Sequence, residues 1–140
     1  MVNKMNLYVH EVLNKVSSQT KKADKIRVLK ENDSYELRTL LQGTYNKDIE
    51  FLLPEGEPPY TPNLPESIPS SLRKQIRKVT YFVAPRAKEV SSLKRETIFI
   101  QLLESIHPED AKLVLQMKDK KPFKGISSAV VKEAFPSILP

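Results

Sequence analysis

Cysteine is absent from the 140 residues. That removes disulfide frameworks, thiol catalysis, iron–sulfur clusters and the common structural zinc sites together. A reducing cytoplasm suits such a chain and is the expected location. Glycine is scarce, at positions 43, 56 and 125 only, so neither a P-loop nor a dinucleotide-binding fingerprint can be assembled. The two histidines, His10 and His107, lie far apart, and neither has a second ligand-type residue at metal-binding helical spacing. Each is expected to be solvated or to cap a helix, His107 beside Pro108. Apolar runs reach only a few residues, as within Ile49 to Leu53, and the opening MVNKMNLYVHEVLNK is broken by Asn, His and Glu. No membrane span or signal peptide is readable, and no membrane partner is expected. Glu55 and Glu57 flank Gly56 on a proline-rich stretch, where a carboxylate pair is expected to be solvated rather than to act as acid and base. The inventory provides no catalytic residue, no metal site and no cofactor site, and it favours binding over catalysis.

Hydrophobic residues at 39% and charged residues at 29% suffice for one buried core, so residues 1–140 are expected to form a single domain. Net charge is +6, unevenly placed. Residues 1–70 hold 9 Lys and Arg against 10 Asp and Glu, whereas residues 71–140 hold 14 against 7, or +7. A field of that kind draws a polyanion, which puts nucleic acid ahead of acidic protein or anionic membrane as partner. A merely solubilising basic surface is the alternative.

Val9, Val12, Leu13 and Val16 fall on one helical face, predicting a first helix over 6–16. Lys21 to Lys30 reads as a second, ended by Asn32 and Asp33. Asp33 or Ser34 caps a third, with Glu36 in an approximate capping box and Gly43 at a left-handed C-terminal position. Lys47 to Leu53 fits a strand or a buried helical turn. Six prolines between Pro54 and Pro69 make a stiff connector, and Pro59-x-x-Pro62 and Pro62-x-x-Pro65 also fit ligands of proline-reading domains.

Ser70 or Ser71 caps the next helix, which runs to about Val83 with Leu72, Ile76, Val79 and Val83 inward and Arg73, Lys74, Arg77 and Lys78 outward. Val90 to Ile106 carries Leu93, Phe99, Leu102, Leu103 and Ile106 at helical spacing. Pro108 with Glu109 and Asp110 starts another helix, whose inward face continues through Ala111, Val114, Leu115 and the stem of Lys118. A last helix is capped by Ser127, with Ile126 and Val131 forming a hydrophobic staple, and closes at Phe135 and Pro136. The expected fold is an irregular all-α bundle of about six to seven helices with a proline-rich internal connector.

The basic loop before that last helix is the strongest binding signal. Lys118, Lys120, Lys121 and Lys124 precede Gly125, Ser127 and Ser128, so backbone N–H groups, hydroxyls and cations converge as phosphate oxygens require. Gly125 would let a phosphodiester approach. Phe123 is the only aromatic residue in the patch, which makes single-strand stacking weaker than duplex backbone binding.

LLESIHPEDAKLVLQMKDKKPFKGISSAVVKEAFPSIL resembles the close of the N-terminal DNA-binding domain of ATP-dependent DNA ligases of the phage type, and NLYVHEVLNKVSS, KKADKIRVLKEN and DSYELRTLLQGTYN resemble its opening helices. The whole chain also resembles small uncharacterised proteins of T4-like tailed phages. The ligase resemblance implies an all-α module gripping duplex phosphates across the minor groove through Lys118, Lys120, Lys121, Lys124, Gly125, Ser127 and Ser128. The ligase nucleophile motif Lys-x-Asp-Gly is missing, and Lys22-Ala23-Asp24-Lys25 lacks its glycine. The expectation is a non-enzymatic, sequence-tolerant DNA-binding protein, phage-encoded and resident in the host cytoplasm. The alternative is a small adaptor or inhibitor that docks on a host or phage protein.

Overall fold

A computed structural model describes residues 7–64 and 71–139. Seven α-helices follow one another among them: α1 Val9–Ser17, α2 Lys22–Glu31, α3 Tyr35–Tyr45, α4 Leu72–Gln75, α5 Ser92–Ser105, α6 Pro108–Lys118 and α7 Ser128–Ala134. Stretches of 3-10 helix cover Ile76–Phe82, Arg86–Glu89 and Pro136–Ile138. Among the described residues there is no strand, and Phe51 and Val83 form an isolated bridge. The fold is the expected irregular all-α bundle, and no described helix is long and apolar enough to cross a membrane.

α1 packs on α2 and α6, α2 on α7, α3 on α6 and α7, and α5 on α6. Val16, Leu29, Leu40, Leu41, Leu102, Leu103, Ile106 and Val131 are wholly buried where these faces meet, each such side chain stabilising the fold by about 1.5–3 kcal/mol. Ser34, Ser71, Ser91 and Ser127 each accept a hydrogen bond from an amide in the first turn of α3, α4, α5 and α7 respectively, so the serine caps read from the sequence at 34, 71 and 127 stand. Ser70, Pro65 and Asn6 lie outside the described residues.

Three local expectations change. Gly43 is not a C-terminal left-handed residue: it lies inside α3, where a Cβ would come 2.6 Å from Met117 Sδ and 3.0 Å from Phe51 Cζ. Its missing side chain lets α6 close on α3. The expected helix from 71 to 83 keeps α-helical form for one turn only. Ile76, Val79 and Phe82 are spaced by three and all buried, which matches the 3-10 repeat better than 3.6, and Phe82 takes the core place expected of Val83. Leu93 is 76% exposed rather than inward. The buried stripe of α5 is Phe99, Leu102, Leu103 and Ile106, and its extension one turn back falls on Arg95.

Gly43→Ala should lower stability by about 1–3 kcal/mol, the usual cost of overpacking a tight core. Denaturant unfolding measures this, and because alanine improves helix propensity by about 1 kcal/mol, a net stabilisation of that size would mean that Met117 is not pressed against α3 there.

Candidate nucleic-acid interface

The segment from 46 to 63 joins α3 to the residues before α4 without regular structure. Apart from Asn46 O, which accepts from Ile49 N at 3.2 Å, its clamped carbonyls take their donors from side chains, and three cations provide them. Lys120 Nζ donates to the carbonyls of Gly43, Asn46 and Ile49, the last two at 2.7 and 2.9 Å. Lys118 Nζ donates to Pro54 O at 2.9 Å, Gly56 O at 2.8 Å and Asp119 Oδ1 at 2.6 Å. Arg95 Nε donates to Leu52 O at 2.9 Å, and its Nη1 donates to the carbonyls of Ala87 and Val90. Residues 46–63 are therefore strapped down rather than free. Thr61 N also donates to Glu104 Oε2 at 2.8 Å, and Asn63 Nδ2 to Glu104 O at 3.2 Å.

These contacts overturn two assignments. An ammonium has three N–H donors, and in Lys118 and Lys120 all three are spent on protein oxygens. Neither has a proton left for a phosphate, and the Lys118 side chain is only 2% exposed. Burial pushes the Lys120 ammonium below the usual lysine range, while the carbonyls at the end of α3 favour its charge. Lys120 holds a left-handed φ of 59°, which costs a side-chain-bearing residue roughly 1–2 kcal/mol and is offset by those three acceptors.

The rest of the loop is equally tied. Tyr45 Oη donates to Ile126 O at 2.6 Å and accepts from Phe123 N at 2.9 Å, and burial raises its pKa. Phe123 is buried with its ring edge-on to Tyr45, 6.2 Å between centroids, so it offers no surface for base stacking. Gly125, at φ 74°, lies against α1, where a Cβ would meet Ser17 Cβ at 3.1 Å. Its carbonyl accepts from Lys25 Nζ at 2.6 Å. The close approach that needs this glycine is to α1, not to a phosphodiester. Ser127 Oγ is occupied by Val130 N at 3.2 Å, and α7 has only seven residues, so the helix start does not form the expected phosphate cradle. Lys121, Lys124 and Ser128 remain exposed.

Beside that loop lies charge that the sequence reading placed elsewhere. α2 packs against α7, Lys22 pairs with Glu133 at 3.3 Å, and Lys21 and Lys132 are exposed. The first half of the chain thus adds cations to the junction through Lys21, Lys22 and Lys25, and half-balance counting along the sequence cannot see such an addition.

The second predicted cluster is the more open of the two. Arg73, Lys74 and Arg77 are exposed and Lys78 is half-buried. None of the four takes part in an ion pair among the described residues. From Ser71 to Lys88 the chain has no Asp or Glu. Arg86, missed by the sequence reading, is a further exposed cation on this carboxylate-free stretch, the cationic ridge of the chain. Its guanidinium lies over the Tyr81 ring at 4.2 Å and donates to Thr80 Oγ1 at 3.2 Å, contacts that hold a cation in place while it stays exposed.

The histidines meet, contrary to their separation in sequence. Their ring centroids are 4.5 Å apart, with Tyr8 against both. His107 caps α6 as expected, accepting from Glu109 N at 3.0 Å. His10 is neither solvated nor a cap: its Nδ1 lies 2.8 Å from Asp110 Oδ1, and its backbone N donates to the same oxygen at 3.0 Å. Asp110 is 1% exposed, so this pair joins α1 to the first turn of α6, where a carboxylate also suits the helix dipole. No group of three or more His, Cys, Asp or Glu able to hold a metal occurs among the described residues.

Replacing Lys118 or Lys120 by Met should each lower stability by about 2–4 kcal/mol, because each change removes three charged hydrogen bonds that hold the chain in place. Lys121→Ala and Lys124→Ala should stay within about 0.5 kcal/mol of the parent. Chemical denaturation of the four variants decides, and equal, small effects would return Lys118 and Lys120 to the surface set. No curated protein matches the chain significantly. Residues 12–124 match a family of unknown function, DUF6433, and the chain belongs to that family.

Proposed function

We propose that this chain is a non-enzymatic protein that grips the phosphate backbone of duplex DNA with little sequence preference, in the cytoplasm of a phage-infected cell. One observation carries the reading: Arg73, Lys74 and Arg77 stand exposed without ion-pair partners on a segment that has no carboxylate from Ser71 to Lys88. Cations held apart from carboxylates keep their full attraction for a polyanion, and each phosphate they neutralise releases condensed counterions. The resemblance to ligase DNA-binding domains supports a duplex as the polyanion. The primary grip moves, however, from the loop before α7 to the 73–86 ridge, because the loop spends its best-placed ammoniums on its own fold. Lys121 and Lys124 then act as flanking contacts.

Titration of a fluorescent duplex across salt concentrations tests this. Affinity should fall steeply with salt for any duplex sequence. Arg73→Ala with Lys74→Ala should reduce the logarithmic salt slope by about two. Lys121→Ala with Lys124→Ala, at equal charge removed, should reduce it less. A larger effect from the second pair would restore the junction as the main grip, and no binding at low salt would end the DNA reading.

A further inference from the structure

Away from the cationic ridge, the strapped connector and α5 enclose an open cavity of about 350 Å³. Leu53, Phe99 and Ile100 line it together with Glu55, Glu57 and Glu96, whose carboxylates form no ion pair among the described residues. Lys118 also borders it, but its charge is already paired with Asp119 at 2.6 Å and its other protons anchor the wall. The occupant that fits is apolar with a cation beside it.

The same helix carries such a group. Leu93 is 76% exposed and is followed by the exposed Lys94. At 100° per residue, Leu93, Glu96, Thr97 and Ile100 share one face of α5, so the knob and the cavity sit on one stripe about two turns apart. A knob and a hole on one stripe are self-complementary under two-fold rotation: when two copies lay α5 antiparallel, each Leu93 faces the other's hole and each Lys94 approaches the other's carboxylates. We infer that the α5 and connector face is a docking surface for a second copy of this chain, with Leu93 seated in the partner's cavity and Lys94 paired with its Glu96 or Glu55. One helix face and one cavity fall short of the about 1,200 Å² typical of stable interfaces, so the dimer is reversible and concentration-dependent. The inference is independent of DNA binding, and its test contains no nucleic acid.

Sedimentation equilibrium of the full chain over a wide concentration range reads the association. The parent should dimerise, and Leu93→Asp should weaken the dimer at least tenfold while circular dichroism stays unchanged, since the side chain is already in water. Lys94→Glu should weaken it too, and Glu96→Lys added to Lys94→Glu should restore part of the loss. Because the chain has no cysteine, Thr97→Cys provides a second reading: this exposed position lies between knob and hole, and mild oxidation should give a covalent dimer through it. A parent that stays monomeric at the highest concentration would overturn the inference. So would a dimer indifferent to Leu93→Asp, or a Thr97→Cys variant that never cross-links. A monomer that captures a foreign peptide in the cavity would also overturn it.

Discussion

Three positive side chains hold the irregular connector of this molecule to its helices. The chain leaves α3 and runs from 46 to 63 without a helix or strand, and Lys118, Lys120 and Arg95 supply donors for the carbonyls of Asn46, Ile49, Leu52, Pro54 and Gly56. None of these five residues is itself buried, and Asn46 O also accepts from Ile49 N, so what the clamps add is charged hydrogen bonds, worth about 1.5–3 kcal/mol each, and a fixed path for the chain. The clamps thus allow a proline-rich connector to become a wall of the domain. The cavity beside α5 exists because that wall is fixed.

The basic charge of the second half therefore divides by location. Lys118, Lys120 and Arg95 face inward and stabilise the fold. Arg73, Lys74, Arg77 and Arg86 face outward on a stretch without carboxylates and form the field an anion would meet. Net charge alone would count both groups as one interface. The division also gives the two exposed faces different partners in the proposed scheme: the ridge meets phosphates, and the acidic, apolar cavity meets the basic, apolar start of another α5.

Much of the fold was legible, because apolar spacing reports burial directly. Val9, Val12, Leu13 and Val16 marked α1, and the serines at 34, 71 and 127 marked helix starts that the amide geometry bears out. What escaped was long-range. Nothing local tells that Tyr45 binds Ile126, that Lys25 reaches Gly125, or that His10 reaches Asp110 across 100 positions. Two inward cations did leave a signal. Lys118 lies four residues after Val114, and Arg95 four before Phe99, so each continues a buried stripe. A cation at such a position must find oxygen partners inside the protein. Leu93 shows the converse, because its phase on α5 places it outward despite its type.

Lysine reactivity tests this division of charge most directly. The native protein would be reductively methylated with and without a duplex at low salt, and modification would be scored at each lysine by mass spectrometry. The account expects Lys118 and Lys120 to resist the reagent in both samples, because their ammoniums are enclosed by carbonyls. Lys74 should react freely in the unbound protein and be protected by DNA. Ready labelling of Lys118 and Lys120 in the free protein, with DNA protecting them and leaving Lys74 unchanged, would contradict it.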